Sequence, residues 1–325
     1  MSDSSTPVKS SIHLTHRTDN TLFQAFLRHF LRALRGLILF PAHRTRPPGS
    51  AQLKPHKNAK KKCTVTERKV NDIYVYDLTL KDTPVTECAK RRIYYFAGGS
   101  WQMEPGKQQW SSCARYAEKL PSTIVSIISH PLAPKDPAPT ALPQLYELYH
   151  ALMHESAAAG ETVVWAGDSS GANLALCLAI EGASHADVPA PAAVMAICPS
   201  TDLTRKNEMI KEINKKDPIL TIRTIKNSAK AWCGEWDAQD PRVSPLFADL
   251  KPLADRVIKI HGVTAGYDLL GPDGILFRQA LEKQGVEGEW LQWDKQIHVF
   301  PLLWEYGVKE GYESMDWIID VLSRT

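Results

Sequence analysis

The residues best suited to chemistry stand at Gly167-Asp168-Ser169-Ser170-Gly171, where an apolar run ends and an Ala/Leu-rich segment begins. The stretch fits Gly-x-Ser-x-Gly only with Ser169 at its centre. A serine held in a strained strand-to-helix turn presents its hydroxyl as a nucleophile, and small residues two positions either side let strand and helix approach. Ser170 then contributes its backbone N–H rather than its hydroxyl. A structural Ser/Gly turn would share this composition; the apolar run before it and the helical segment after it favour the nucleophile.

A serine nucleophile needs a base, and the base an orienting acid, following in the order Ser, Asp or Glu, His in this setting. His185, His261 and His298 come after Ser169. His185 lies in EGASHADVPAP, which reads as a surface loop, and His261 ends an apolar run, where packing is the expected role. His298, in DKQIHVFP just past EWLQW, is the base. Asp268 in VTAGYDLLGPDG directly follows RVIKIHG and is the acid; Asp273, about a helical turn later, suits a helix N-terminus and stands in reserve. Upstream, Ala97-Gly98-Gly99-Ser100-Trp101 follows another apolar run, and Gly98 and Gly99 can bring main-chain N–H groups close to a developing oxyanion. With the Ser170 N–H they form an oxyanion hole, each donor worth about 2.7–4 kcal/mol. Trp101, Trp232 and Trp236 offer apolar walls for a substrate, against core packing as the default for each.

The elements that must position these residues alternate along the chain. Residues 63–80 read as an antiparallel pair with Tyr74, Tyr76, Leu78 and Leu80 on one face. RRIYYF, STIVSII, TVVWAG, AAVMAIC, RVIKIHG and EWLQW are strand candidates, mostly continuous apolar runs as expected of strands covered on both faces. Between them LPQLYELYHALMHESAAAG and ILFRQALEKQG carry apolar residues at helical spacing and stop at Gly160 and Gly285. The alternation predicts an α/β fold, a mainly parallel sheet with helices on both sides. At 325 residues the chain suits one large domain with insertions.

Composition narrows the partners. The formal charge of +3 is too slight to indicate nucleic acid, and the six cysteines show neither CxxC pairs nor a metal-ligand spacing, so no metal or organic cofactor is expected. The polar amino terminus lacks a secretory pattern, which predicts an intracellular protein. Thr21 to Phe40 is apolar but interrupted by Arg28, Arg32 and Arg35, which fall on one helical face. It reads as an amphipathic helix that touches a membrane surface, forms a lid, or simply packs on the main domain. PAHRTRPPGSAQLKPHKNAKKKC reads as an exposed connector with Lys60, Lys61 and Lys62 as a solvated charge run, so residues 1–60 stand apart from a main domain of 61–325. Removing everything before Leu53 should therefore leave the sheet folded.

These motifs together resemble a family. GDSSGAN is similar to the GDSAGGN signature of the hormone-sensitive-lipase-like esterases of the α/β-hydrolase fold, and AGGSW stands where that family has HGGGW. HPLAPKDPAP resembles YRLAPEHPFP, GYDLLGPDG resembles GxDPLRDEG, and DPRVSPLFADL resembles the segment before the acid loop, so the likeness covers about residues 88–320. It departs at Ala97 and Ser100, which puts the geometry of the oxyanion loop in question, and at Ser170 and Ala172, small changes under which the nucleophile turn should survive. The resemblance implies Ser169 as nucleophile, Asp268 and His298 as its partners, Gly98, Gly99 and Ser170 as oxyanion donors, and a helical cap formed by the N-terminal segment and about residues 203–239.

The function so implied is a serine esterase removing a small acyl group, such as acetyl, from a lipophilic alcohol or secondary metabolite, with fungal steryl acetyl hydrolase-like proteins as the nearest subgroup. Two other readings stay open: a noncatalytic receptor for a hydrophobic ligand on the same fold, and an enzyme of elimination or rearrangement using the same pocket.

Overall fold

A computed structural model of the chain describes residues 10–35, 47–81 and 90–325. Its centre is a nine-stranded sheet in the order β1-β9-β8-β7-β6-β4-β5-β3-β2. The strands are β1 (Ile12–Arg17), β2 (Cys63–Val70), β3 (Ile73–Leu80), β4 (Arg91–Phe96), β5 (Thr123–Ile128), β6 (Thr162–Asp168), β7 (Ala193–Ile197), β8 (Lys259–Tyr267) and β9 (Gly288–Ile297). Only β3 runs against the others: it pairs antiparallel with β2 and β5, whereas every other neighbouring pair is parallel. The fold is the α/β-hydrolase fold that the sequence motifs predict.

Alternation along the strands splits the core into two layers. Tyr94, Phe96, Trp165, Val194 and Ile260 face α4 (Ala138–Ala158), α5 (Ser170–Ala183) and α9 (Gly271–Lys283). Ile93, Tyr95, Val164, Met195 and Val263 face α3 (Lys107–Lys119) and α10 (Lys309–Ser323) on the other side. Covered on both faces, β4, β6 and β7 are apolar almost throughout, which is why they read as continuous runs.

Three features differ from the sequence reading. β1 joins the sheet edge in parallel register with β9, from Ile12 opposite Gly288 to Arg17 opposite Trp293. Its IHLTHR alternates apolar with polar or charged residues too weakly to announce a strand, and the long-range pairing with β9 supplies the stability. The described part of the presumed connector, residues 47–62, packs on the domain. Tyr76 accepts the Leu53 N–H at 2.6 Å, and α2 (Lys57–Lys62) is fixed by Asn58, which donates to Glu305 at 2.8 Å. Lys62 pairs with Glu118 at 2.6 Å, so the lysine run belongs to a short docked helix. Last, β8 begins at Lys259 rather than Arg256, because α8 (Lys251–Asp255) and a turn occupy the residues before it.

The segment before Cys63 also holds α1 (Leu22–Leu34); the part of the expected helix beyond Arg35 lies outside the described residues. Within residues 203–239 lie α6 (Met209–Ile213) and α7 (Ile222–Cys233). Ile210 and Ile213 of α6, Leu220 between the helices and Ile225 of α7 form a separate cluster with Leu269 and Leu270, next to Asp268.

Candidate active site

Ser169 sits between β6 and α5 with φ 55° and ψ −118°, a backbone conformation that costs free energy in a non-glycine residue. The close approach around it explains its glycines. A Cβ on Gly171 would lie 2.0 Å from the Phe96 carbonyl oxygen, and one on Gly167 would lie 2.5 Å from the Gly171 carbonyl carbon. The turn is pinned by the Ser169 N–H, which donates to the Ile197 carbonyl at 2.8 Å.

The ends of three strands bring the predicted trio together. Ser169 follows β6, Asp268 follows β8 and His298 follows β9. His298 Nε2 lies 2.9 Å from Ser169 Oγ, and its Nδ1 lies 2.8 Å from Asp268 Oδ2. Asp268 is fully buried and His298 nearly so, while Ser169 stays partly exposed. Because the Asp268 carboxylate can only accept, it holds the proton on Nδ1 and leaves the Nε2 lone pair facing the serine hydroxyl. Burial pushes the His298 pKa down, but the charge and hydrogen bond of Asp268 outweigh it and leave the pKa raised. Asp268 is in turn held by the Leu270 N–H, which donates to Oδ1 at 2.9 Å.

Asp273, the reserve acid, is not part of this line. It is buried in the first turn of α9, where Asn207 donates to its Oδ1 at 2.8 Å, and burial raises its pKa to about 6. His185 pairs with Glu181 on the surface, and His261 is buried, where it accepts the Glu289 N–H and burial lowers its pKa to about 4.

The loop after β4 requires one correction. Gly98 is buried, and its N–H donates to Asp168 Oδ1 at 2.9 Å, so it is committed and does not serve an oxyanion. Asp168 turns its carboxylate under the loop, where it also accepts from the Tyr95 hydroxyl at 2.7 Å and from Gln109 Nε2 at 3.2 Å. That clamp leaves the partly exposed Gly99 and Ser100, whose N–H groups have no hydrogen-bond partner among the described residues. With Ser170 at the start of α5, these are the uncommitted donors around Ser169. The Ser170 hydroxyl accepts the Trp101 N–H at 3.1 Å, a second tie between loop and turn.

Trp101, expected in a substrate wall, is only 2% exposed and stacks on Trp232 of α7 with ring centroids 5.6 Å apart. The stack joins the loop after β4 to α7, in the segment expected to form a cap. Asp217, between α6 and α7, makes a second cap contact: its Oδ1 accepts the Ile219 and Leu220 N–H groups and its Oδ2 accepts the Leu269 N–H at 2.9 Å. Burial, then the charge of Asp268, raises the Asp217 pKa to about 6. Sequence reasoning missed Asp168 and Asp217 as organising residues. Asp168 could have been found as the one charged residue inside the Gly-x-Ser-x-Gly stretch; nothing local marks Asp217.

Among the described residues, one trio of potential metal ligands has atoms within 4.8 Å of one another: Cys198, Asp268 and His298. Two of these are already bonded to each other, and burial and the Asp268 charge push the Cys198 thiol pKa well up, which disfavours the thiolate a metal needs.

A family profile described as alpha/beta hydrolase fold matches residues 93–302. The chain is 27% identical over 201 residues to an esterase of Acinetobacter venetianus, covering 61% of this chain and 64% of that one. It is 29% identical over 145 residues to human hormone-sensitive lipase, covering 44% of this chain and 13% of the lipase. The chain thus spans less than two thirds of the length of these curated relatives. Among solved structures, a hormone-sensitive-lipase homologue from a metagenome library superposes with a TM-score of 0.76 at 19% identity, over 94% of this chain and 99% of the other. No helix among the described residues is long and apolar enough to cross a membrane.

Proposed function

The chain belongs to the hormone-sensitive-lipase-like family of the alpha/beta hydrolase fold, and from that premise we propose that it is a serine carboxylesterase. The observation that carries this reading is the unbroken line from Ser169 Oγ through His298 to Asp268, at 2.9 and 2.8 Å, beneath a strained turn. In this mechanism His298 Nε2 takes the Ser169 proton as Oγ attacks the ester carbonyl. The charge on the carbonyl oxygen is met by N–H groups of Gly99, Ser100 and Ser170. His298 then returns the proton to the leaving alcohol, an acyl-enzyme forms on Ser169, and water activated by the same imidazole releases the acid.

The proposed substrate joins a small acyl group, such as acetyl, to a lipophilic alcohol or secondary metabolite. The apolar cap cluster around Leu269 and Leu270 and the Trp101–Trp232 stack beside the oxyanion loop support a water-poor site for the alcohol part. The test compares wild type with Ser169→Ala on p-nitrophenyl esters of rising chain length, both shown to be folded. Hydrolysis should favour the short acyl chains and fall by about 10⁴-fold or more in the variant, with acid and intact alcohol as products. Activity that survives Ser169→Ala, or a dehydrated product without acid, would overturn the reading.

A further inference from the structure

Helix α1 buries only half of its own apolar arc. With 3.6 residues per turn, Leu22, Phe26, Phe30, Phe23, Leu34, Leu27 and Leu31 form one continuous apolar sector, and Gln24, Arg35, Arg28 and Arg32 follow it around the helix. The molecule covers the leucine end, where Leu31 packs on the core layer of α3 and α10. It also takes in part of the cationic sector. Arg28 lies 4.4 Å over the Tyr267 ring, Arg35 donates to the Asn214 carbonyl and side chain at 2.9 and 2.8 Å, and Gln24 donates to Gln296 at 2.9 Å. The phenylalanine end is left bare: Leu22 is 91%, Phe23 58%, Phe26 67% and Phe30 51% exposed.

An amphipathic helix that only had to pack on its own domain would bury its aromatics and send its arginines to water. Here Arg28 and Arg35 are satisfied internally while the bare sector is phenylalanine, with the rings of Phe26 and Phe30 stacked 6.3 Å apart. The exposed cation on the helix is Arg32, and α1 contains no acid. An exposed aromatic sector on a helix whose one exposed charge is Arg32 complements a surface that is apolar below and anionic on top.

We propose that α1 docks the protein on an anionic lipid surface. The helix is about 20 Å long. It lies in the plane of the interface, with Leu22, Phe23, Phe26 and Phe30 entering the acyl boundary and Arg32 meeting lipid phosphates. The contact is peripheral. The inner face of α1 touches Tyr267, next to Asp268, and Gln296, two residues before His298, so docking brings the candidate active site close to the lipid. Delivery of a membrane-dissolved ester rests on the esterase reading; docking itself does not.

The test uses the full chain and sedimentable vesicles, of phosphatidylcholine alone and of phosphatidylcholine mixed with phosphatidylserine. Wild type should sediment with the mixed vesicles, and F23S/F26S/F30S should bind them at least about tenfold more weakly. R32E should lose affinity for the mixed vesicles only. All these side chains are exposed, so melting curves should match wild type, and the single variant F26S gives a milder version of the same readout. Absent vesicle binding, or binding undiminished in the triple variant, would overturn the proposal. So would wild-type self-association that the triple variant abolishes without any vesicle binding, since a second copy would then cover the face. Hydrolysis of p-nitrophenyl butyrate is followed in the same samples. Ser169-dependent hydrolysis without vesicle binding sinks docking alone, and vesicle binding without such hydrolysis sinks the esterase reading alone.

Discussion

At Ser169 the decisive quantity is the protonation of one imidazole. In the proposed reaction His298 must be neutral at Nε2 to accept the serine proton, and its pKa is raised because the charge and hydrogen bond of Asp268 outweigh burial. Activity should therefore fall on the acid side with an apparent pKa above the ordinary histidine value of about 6.5. In Asp268→Asn burial is left to act without the opposing charge, so the acid limb should move to lower pH while kcat drops by about 10⁴-fold; a pH profile of kcat/KM measures both. The stability sign is opposite. A raised histidine pKa contributes stability that is fully present below the unfolded value and is lost as pH rises through the folded one. Sterics dominate two residues away. Gly171→Ala would put a methyl 2.0 Å from the Phe96 carbonyl, so we expect a loss of about 3 kcal/mol or outright misfolding, read by denaturant titration.

Among the elements, a buried carboxylate helps to hold the loop after β4 to the strand ends, and another does so for residues 203–239. Asp168 accepts from Tyr95, Gly98 and Gln109, so Asp168→Asn turns one acceptor into a donor that faces another donor. The unsatisfied pair should cost about 1–3 kcal/mol, and the displaced loop should lower kcat more than it alters KM. Asp217 does the same for the cap through the Leu269 N–H, and Asp217→Asn should reduce kcat by up to about 100-fold through the shifted acid loop. Because the folded pKa of Asp217 is raised to about 6, its proton stabilises the fold below the unfolded value of about 3.9 and that contribution is lost as pH rises to 6. The variant should accordingly flatten the stability curve across that window, measured by thermal melts at stepped pH. The strand before Ser169 was legible because a central, doubly covered strand is apolar almost throughout; those before Asp268 and His298 showed shorter apolar runs, and each residue follows its strand directly. Asp217 was illegible: its partner lies 52 residues away, and no local pattern encodes that meeting.

For the molecule as a whole, the described residues before Cys63 pack on the sheet domain rather than hanging from it. β1 covers the β9 edge, Arg17 lies 3.6 Å over the Trp293 ring, and Trp293 Nε1 donates to the Asp19 carbonyl at 2.8 Å. Deleting the residues before Leu53 would strip an edge strand and uncover Trp293, so a lower melting temperature and concentration-dependent aggregation are expected, contrary to the sequence expectation of an undisturbed sheet. The sequence by itself determined the central parallel sheet, the nucleophile turn and the order serine, acid, histidine, since each follows from local periodicity and from residues adjacent to strand ends. Only the tertiary structure decided which loop N–H groups are free, which carboxylates tie down residues 203–239 and the loop after β4, and which face of α1 meets solvent. Those outcomes depend on hydrogen bonds and packing between segments tens to hundreds of residues apart, where spacing along the chain says nothing about distance in space.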